Sequence, residues 1–141
     1  MWKTEYAVRT DFAPALIWQA LVALETGRTP KANGDKHVLE GSFELGGTLT
    51  SSAVGIDPVQ STFTELVEHE RLAMETDFKG LTLVLRHTLQ PVVGGGTRLT
   101  RALEVIGVDP EQEALAGPRI SADYPEALEE VVEVARTLHR G

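Results

Sequence analysis

The chain has 141 residues, the size of one ordinary domain with no room for two independent cores. Its 13 Lys and Arg stand against 21 Asp and Glu, a net charge of −8, so no broad basic surface is available for nucleic-acid phosphates or anionic headgroups. The absence of cysteine excludes disulfides, thiolate nucleophiles, iron–sulfur clusters and cysteine-ligated zinc, while 42% hydrophobic residues suffice for a core.

Trp2, Thr4, Tyr6 and Val8 alternate with Lys3, Glu5, Ala7 and Arg9, the period-two pattern of a strand with one buried face. Pro14 then opens a helix in which Leu16, Ile17, Ala20, Leu21 and Leu24 fall at helical spacing up to Gly27. Residues 26–36 carry Gly27, Pro30, Asn33, Gly34 and Asp35 with almost nothing apolar, which predicts a polar connection placed to form a lip. From His37 to Gly107 short extended segments are separated by turn residues at Gly41, Gly46-Gly47, Gly55 to Pro58, Glu68 to Glu70, Lys79-Gly80 and Gly94 to Gly96. That pattern predicts six strands in an antiparallel meander. A polar interlude over 108–117 precedes a long helix from Pro118 to Leu138, with Ile120, Tyr124, Leu128, Val131, Ala135 and Leu138 on one stripe. Pro125 removes an amide inside that helix, so a kink or a late true start is expected there. The element order is β-α-β6-α in a single domain over 1–141, an α+β architecture of two layers.

No segment approaches the ~18 consecutive apolar residues of a membrane span, and the first residues show no apolar run behind a basic flank. A cytoplasmic protein without membrane insertion is expected, as a monomer or a homodimer. His37, His69, His87 and His139 show no metal-ligand spacing, so neither a metal nor another cofactor is expected. Gly94-Gly95-Gly96 precedes a strand rather than a helix and reads as a hairpin turn, not a phosphate cradle.

Two polar side chains interrupt the apolar face of the last hairpin. Leu81, Leu83, Leu85, His87 and Leu89 share one face of a strand, as do Leu99, Arg101, Leu103 and Val105 of the next. A turn over Val92 to Thr97 sets Leu89 beside Leu99, His87 beside Arg101 and Leu85 beside Leu103. Two cation-capable groups on a buried face need a partner, so a carboxylate, water or ligand is expected nearby. Glu65 is the candidate: a hairpin around 68–71 sets Phe63, Glu65 and Val67 against Thr76, Met74 and Leu72, on the same apolar side. The candidate ligand-binding set is Trp18, Phe63, Glu65, Met74, Leu85, His87, Arg101, Ile120 and Tyr124, although Trp18, Ile120 and Tyr124 also read as core residues.

The order of elements and three local phrases resemble the START-like, helix-grip superfamily, also called SRPBCC or Bet v 1-like, and within it the polyketide cyclase/dehydrase and lipid-transport family. The phrases are Ala13-Pro14-Ala15-Leu16-Ile17-Trp18, the hairpin from Leu81 through His87 to Thr100, and Gly117 through Pro125. The resemblance covers nearly the whole chain. It implies a seven-stranded antiparallel sheet curved around a long C-terminal helix, with a cavity between them for a hydrophobic small-molecule ligand. Ala15 stands where the commoner pattern has an acidic residue, and the tryptophans that often follow the first helix are missing, so a reshaped cavity mouth is expected.

Three functions are compatible with this reading. The first is a protein that binds a lipid, polyketide or aromatic molecule in the cavity. The second is a polyketide cyclase or dehydratase in which His87 transfers a proton and Arg101 polarises a carbonyl or holds an enolate. The third is an interaction module like the chaperone activators of the superfamily, with the acidic surface steering a basic partner.

Overall fold

The computed structural model describes residues 1–53 and 56–141. The elements are β1 (Trp2–Thr10), α1 (Pro14–Glu25), β2 (Lys36–Glu40), β3 (Thr48–Ala53), β4 (Ile56–Val67), β5 (Arg71–Phe78), β6 (Leu81–Pro91), β7 (Thr97–Ile106), α2 (Pro110–Ser121) and α3 (Tyr124–Arg140). The strands form one sheet in the order β1-β7-β6-β5-β4-β3-β2, every neighbouring pair antiparallel. The first strand is thus inserted beside the last, and the other six run as a meander.

Local sequence accounts for most boundaries. Pro14 occupies the first turn of α1, where its missing N–H would have had no intrahelical partner. The helix stops at Glu25, and Gly27 follows at φ +80°, where an added Cβ would overlap the His37 carbonyl. Gly41 and the Gly46-Gly47 pair bound an irregular segment, 41–47, between β2 and β3. Of the expected break from Gly55 to Pro58, Gly55 lies outside the described residues, while Asp57 and Pro58 belong to β4.

The C-terminal third departs from expectation. The stretch 108–117 is largely helical, because Asp109 caps α2 by accepting from Glu111 N at 2.9 Å and Pro110 starts its first turn. Pro118 therefore lies within α2 rather than opening a helix. A new helix begins at Tyr124 with Pro125 in its first turn, the late start that the proline foretold.

The β6–β7 register is the expected one: Leu85 opposite Leu103, His87 opposite Arg101 and Leu89 opposite Leu99. The β4–β5 register is not. Phe63 pairs with Met74, a bulge takes up Thr64, and Glu65, Leu66 and Val67 then pair with Ala73, Leu72 and Arg71. The extra residue reverses the alternation, so Leu66 joins Phe63 on the core side and Glu65 turns to the other face.

The core lies between the inner face of the sheet and the helices. Ile17, Leu21 and Leu24 of α1 pack with Leu49, Phe63, Leu72, Met74, Leu89 and Leu99 of the sheet and with Leu128, Val131 and Ala135 of α3. A second cluster of Leu81, Leu103, Val105 and Tyr124 is packed against Trp2 and Ile120. These two clusters flank the site.

Candidate functional site

Between the sheet and α3 the side chains leave a cavity of about 360 Å³, within the ~300–1,000 Å³ typical of small-molecule sites. Met74, Leu83, Leu85, Leu103, Ile120 and Val131 make its walls apolar, and Glu25, Arg101 and Tyr124 bring polar atoms to it. A smaller recess of about 270 Å³ shares His37, Ser51, Leu83 and Ile120 with the cavity and extends to Phe78. The mouth is formed by the α1–β2 connection, from which Lys31, Ala32, Asn33 and Asp35 line the cavity as the expected lip. This connection is tied across the opening by a hydrogen bond from Ala32 N to Glu130 Oε2 of α3 at 2.7 Å.

The polar groups belong to one network centred on Arg101. Its Nη1 donates to Glu25 Oε1 at 3.2 Å and to His87 Nε2 at 3.0 Å, and its guanidinium lies over the Tyr124 ring, 4.4 Å from the centroid. Glu25 Oε1 also takes Lys31 Nζ at 3.4 Å, so one buried carboxylate is shared by two cations. The carboxylate that answers the His87–Arg101 pair is therefore Glu25, the last residue of α1, and not Glu65.

These contacts set the protonation states. Burial, the largest influence, opposes a charge on Glu25, but Lys31 and Arg101, with smaller contributions from His87 and His37, outweigh it and hold the carboxyl well below its usual range. Burial likewise works against the Arg101 charge, and Glu25 and Tyr124 more than offset it, so the guanidinium is held more firmly than usual. Burial first and Arg101 second push His87 down to about 3. A guanidinium only donates, so His87 Nε2 accepts and the single ring proton sits on Nδ1, which is buried without a partner among the described residues. Burial, and then Lys31, also lower His37, whose Nδ1 meets Ser51 Oγ at 2.7 Å. Burial raises the Tyr124 hydroxyl, with Arg101 opposing it.

Of the residues singled out from the sequence, Met74, Leu85, Arg101, Ile120 and Tyr124 line the cavity. His87 is fully buried and supports Arg101 through its Nε2 without lining the cavity. Phe63 is a core side chain set edge-on to Phe43 at 5.2 Å. Trp18 meets His69 edge-on at 6.5 Å and borders a separate open groove beside Phe43 and Arg28. Glu65 is corrected to the opposite face of the sheet, where it pairs with Arg86 at 2.8 Å and Arg71 at 3.2 Å, because the Thr64 bulge turned it.

Glu25, Lys31 and His37 escaped the sequence reading. The signal for Glu25 was present: it is the sole charged residue of a largely apolar helix and sits at the C-terminal end, where the helix dipole disfavours a negative charge. Such a residue needs a cation from elsewhere in the fold. Among the described residues no three His, Asp or Glu side chains are grouped as a metal ion would require.

No family model matches the chain, and neither does any curated protein. Solved structures do match in fold. Norcoclaurine synthase from Thalictrum flavum in complex with dopamine and hydroxybenzaldehyde aligns with a TM-score of 0.75 and 14% identity over 99% of this chain and 87% of that one. Zhui aromatase/cyclase from Streptomyces sp. R1128 gives 0.76 and 10% over 96% and 93%, and Ara h 8.0201 gives 0.71 and 15% over 96% and 98%.

Proposed function

From the helix-grip fold of the START-like superfamily, which this chain has, we propose that the protein binds a hydrophobic or amphipathic small molecule in the cavity between the sheet and α3. The observation that carries this reading is the division of the cavity into apolar walls and a polar network gathered around Arg101. Apolar walls supply affinity without direction, and a few fixed polar groups orient the ligand. The Arg101 guanidinium is held in place by Glu25, His87 and Tyr124, so it presents itself without a large rearrangement on binding.

A cyclase-type reaction would ask His87 to exchange a proton with substrate, and a general base must lie within hydrogen-bond reach of that proton. Nε2 of His87 is engaged by Arg101 and Nδ1 is buried away from the cavity lining, which favours binding over chemistry at this residue. Arg101 and Tyr124 are the polar side chains of the original set that border the cavity.

Native mass spectrometry of the purified protein, set against its denatured mass, tests the proposal. Binding predicts a discrete added mass, or a rise in melting temperature with lipids or aromatic polyketides. A bare mass with no such rise for any of these compounds would sink it.

A further inference from the structure

The cavity already holds one ammonium group, that of Lys31. Lys31 is borne not by the sheet or a helix but by the lip, and its side chain is only 11% exposed as it reaches Glu25, itself 3% exposed. Two glycines with left-handed backbone, Gly27 at φ +80° and Gly34 at φ +86°, flank the lysine in the connection. The charge around it is one-sided: Glu25, Asp35, Asp123, Glu126 and Glu130 border the cavity, against Lys31 and Arg101. Arg101 is fixed by β7, His87 and Tyr124, whereas the Lys31 ammonium has Glu25 as its sole ion-pair partner among the described residues.

We propose that Lys31 stands in for the ammonium group of a ligand: the cavity takes an apolar molecule bearing a primary amine, which replaces Lys31 at Glu25 when the lip yields. This rests on the binding role above and names the chemical class of the ligand. An amine entering with its apolar body against Leu85, Leu103 and Val131 would restore the second cation on Glu25, and the surrounding carboxylates favour that charge. A carboxylate of the same size would meet those acids, and Arg101 already has its counter-charge in Glu25. An alcohol would gain burial alone.

The idea makes an unusual demand, that removing a cavity residue should strengthen binding. Titration calorimetry with 1-naphthylmethylamine, 1-naphthalenemethanol and 1-naphthoate at low salt puts the three head groups on one apolar body. For the unaltered protein the expected order is amine, then alcohol, with the carboxylate weakest. Lys31→Met keeps the apolar stem and the Glu25–Arg101 pair, and should raise the affinity for the amine relative to the alcohol roughly three- to tenfold, as expected from losing an internal competing ion pair. Glu25→Gln, checked for folding by circular dichroism, should remove the preference for amine over alcohol.

If the alcohol binds but Lys31→Met leaves the amine unchanged or weaker relative to the alcohol, the stand-in role is wrong and the binding cavity stands. Carboxylate binding as tight as amine binding would also overturn it. If none of the three probes binds either protein, the cavity-binding reading falls and takes this inference with it.

Discussion

Arg101 shows how a residue in an apolar setting dictates its neighbours. A buried guanidinium is tolerated only with a carboxylate and further acceptors, and Glu25 and His87 supply them at 3.2 and 3.0 Å. Removing Glu25 leaves the buried guanidinium without its counter-charge, so Glu25→Leu should cost about 3–5 kcal/mol by urea titration, and Arg101→Met combined with it should recover part of that loss. A double variant as unstable as the sum of the two single ones would show that the pair is not coupled. The same network makes stability pH-dependent. His87 is neutral in the folded protein down to about 3, while the unfolded chain takes up a proton near 6.5. Between those values the unfolded state holds the extra proton, so stability is full above about 6.5 and falls as the pH drops, by up to about 1.4 kcal/mol per pH unit. Glu25, depressed from 4.5, adds a loss below that value in the same direction. Urea midpoints at pH 7 and pH 5 should therefore differ, and His87→Gln should narrow the difference. From the sequence, the need for a carboxylate beside His87 and Arg101 was legible, but its identity was not. Glu65 and Glu25 are both plausible by chain order, and only a bulge and a helix end decide between them.

At the level of elements, legibility followed the regularity of each pairing. The β6–β7 hairpin could be registered because apolar residues alternate along both strands, broken only where His87 faces Arg101, and a glycine-rich turn joins them. The β4–β5 hairpin could not, since Thr64 is spent in a bulge and nothing in its identity marks it as the unpaired residue. The extension of helix back to Pro110 was signalled by Asp109-Pro110 with Glu111 and Glu113, a cap, a first-turn proline and favourable charges, but the low apolar content of the segment masked it. Helix α2 holds its place by a close approach. A Cβ at Gly117 would overlap the Trp2 ring, so the indole of β1 packs directly on the helix backbone. Gly117→Ala should then cost about 1–3 kcal/mol despite its better helix propensity, while Leu115→Ala, on an exposed position of the same helix, should cost less than about 1 kcal/mol. Chemical denaturation of the two variants checks the contrast, and equal effects would mean that Trp2 does not seat α2.

Across the whole molecule, the same inner face serves two purposes that compete. A sheet covered by α1 and α3 gains most by filling every space between them, yet about 360 Å³ is left beside Val131, a residue only 3% exposed. Empty space forfeits the dispersion contacts of its lining, so a cavity kept open lowers stability relative to a filled core. Selection for folding alone would close it. If the space is a ligand site, Val131→Phe should project a ring into it, raise the melting temperature by roughly 3–5 °C through about 1 kcal/mol of added burial, and abolish any retained ligand mass. The two readouts must move in opposite directions. A fall in melting temperature together with lost binding would instead mean that the α3 side of the cavity is packed to its limit, because overpacking a filled core costs about 1–3 kcal/mol.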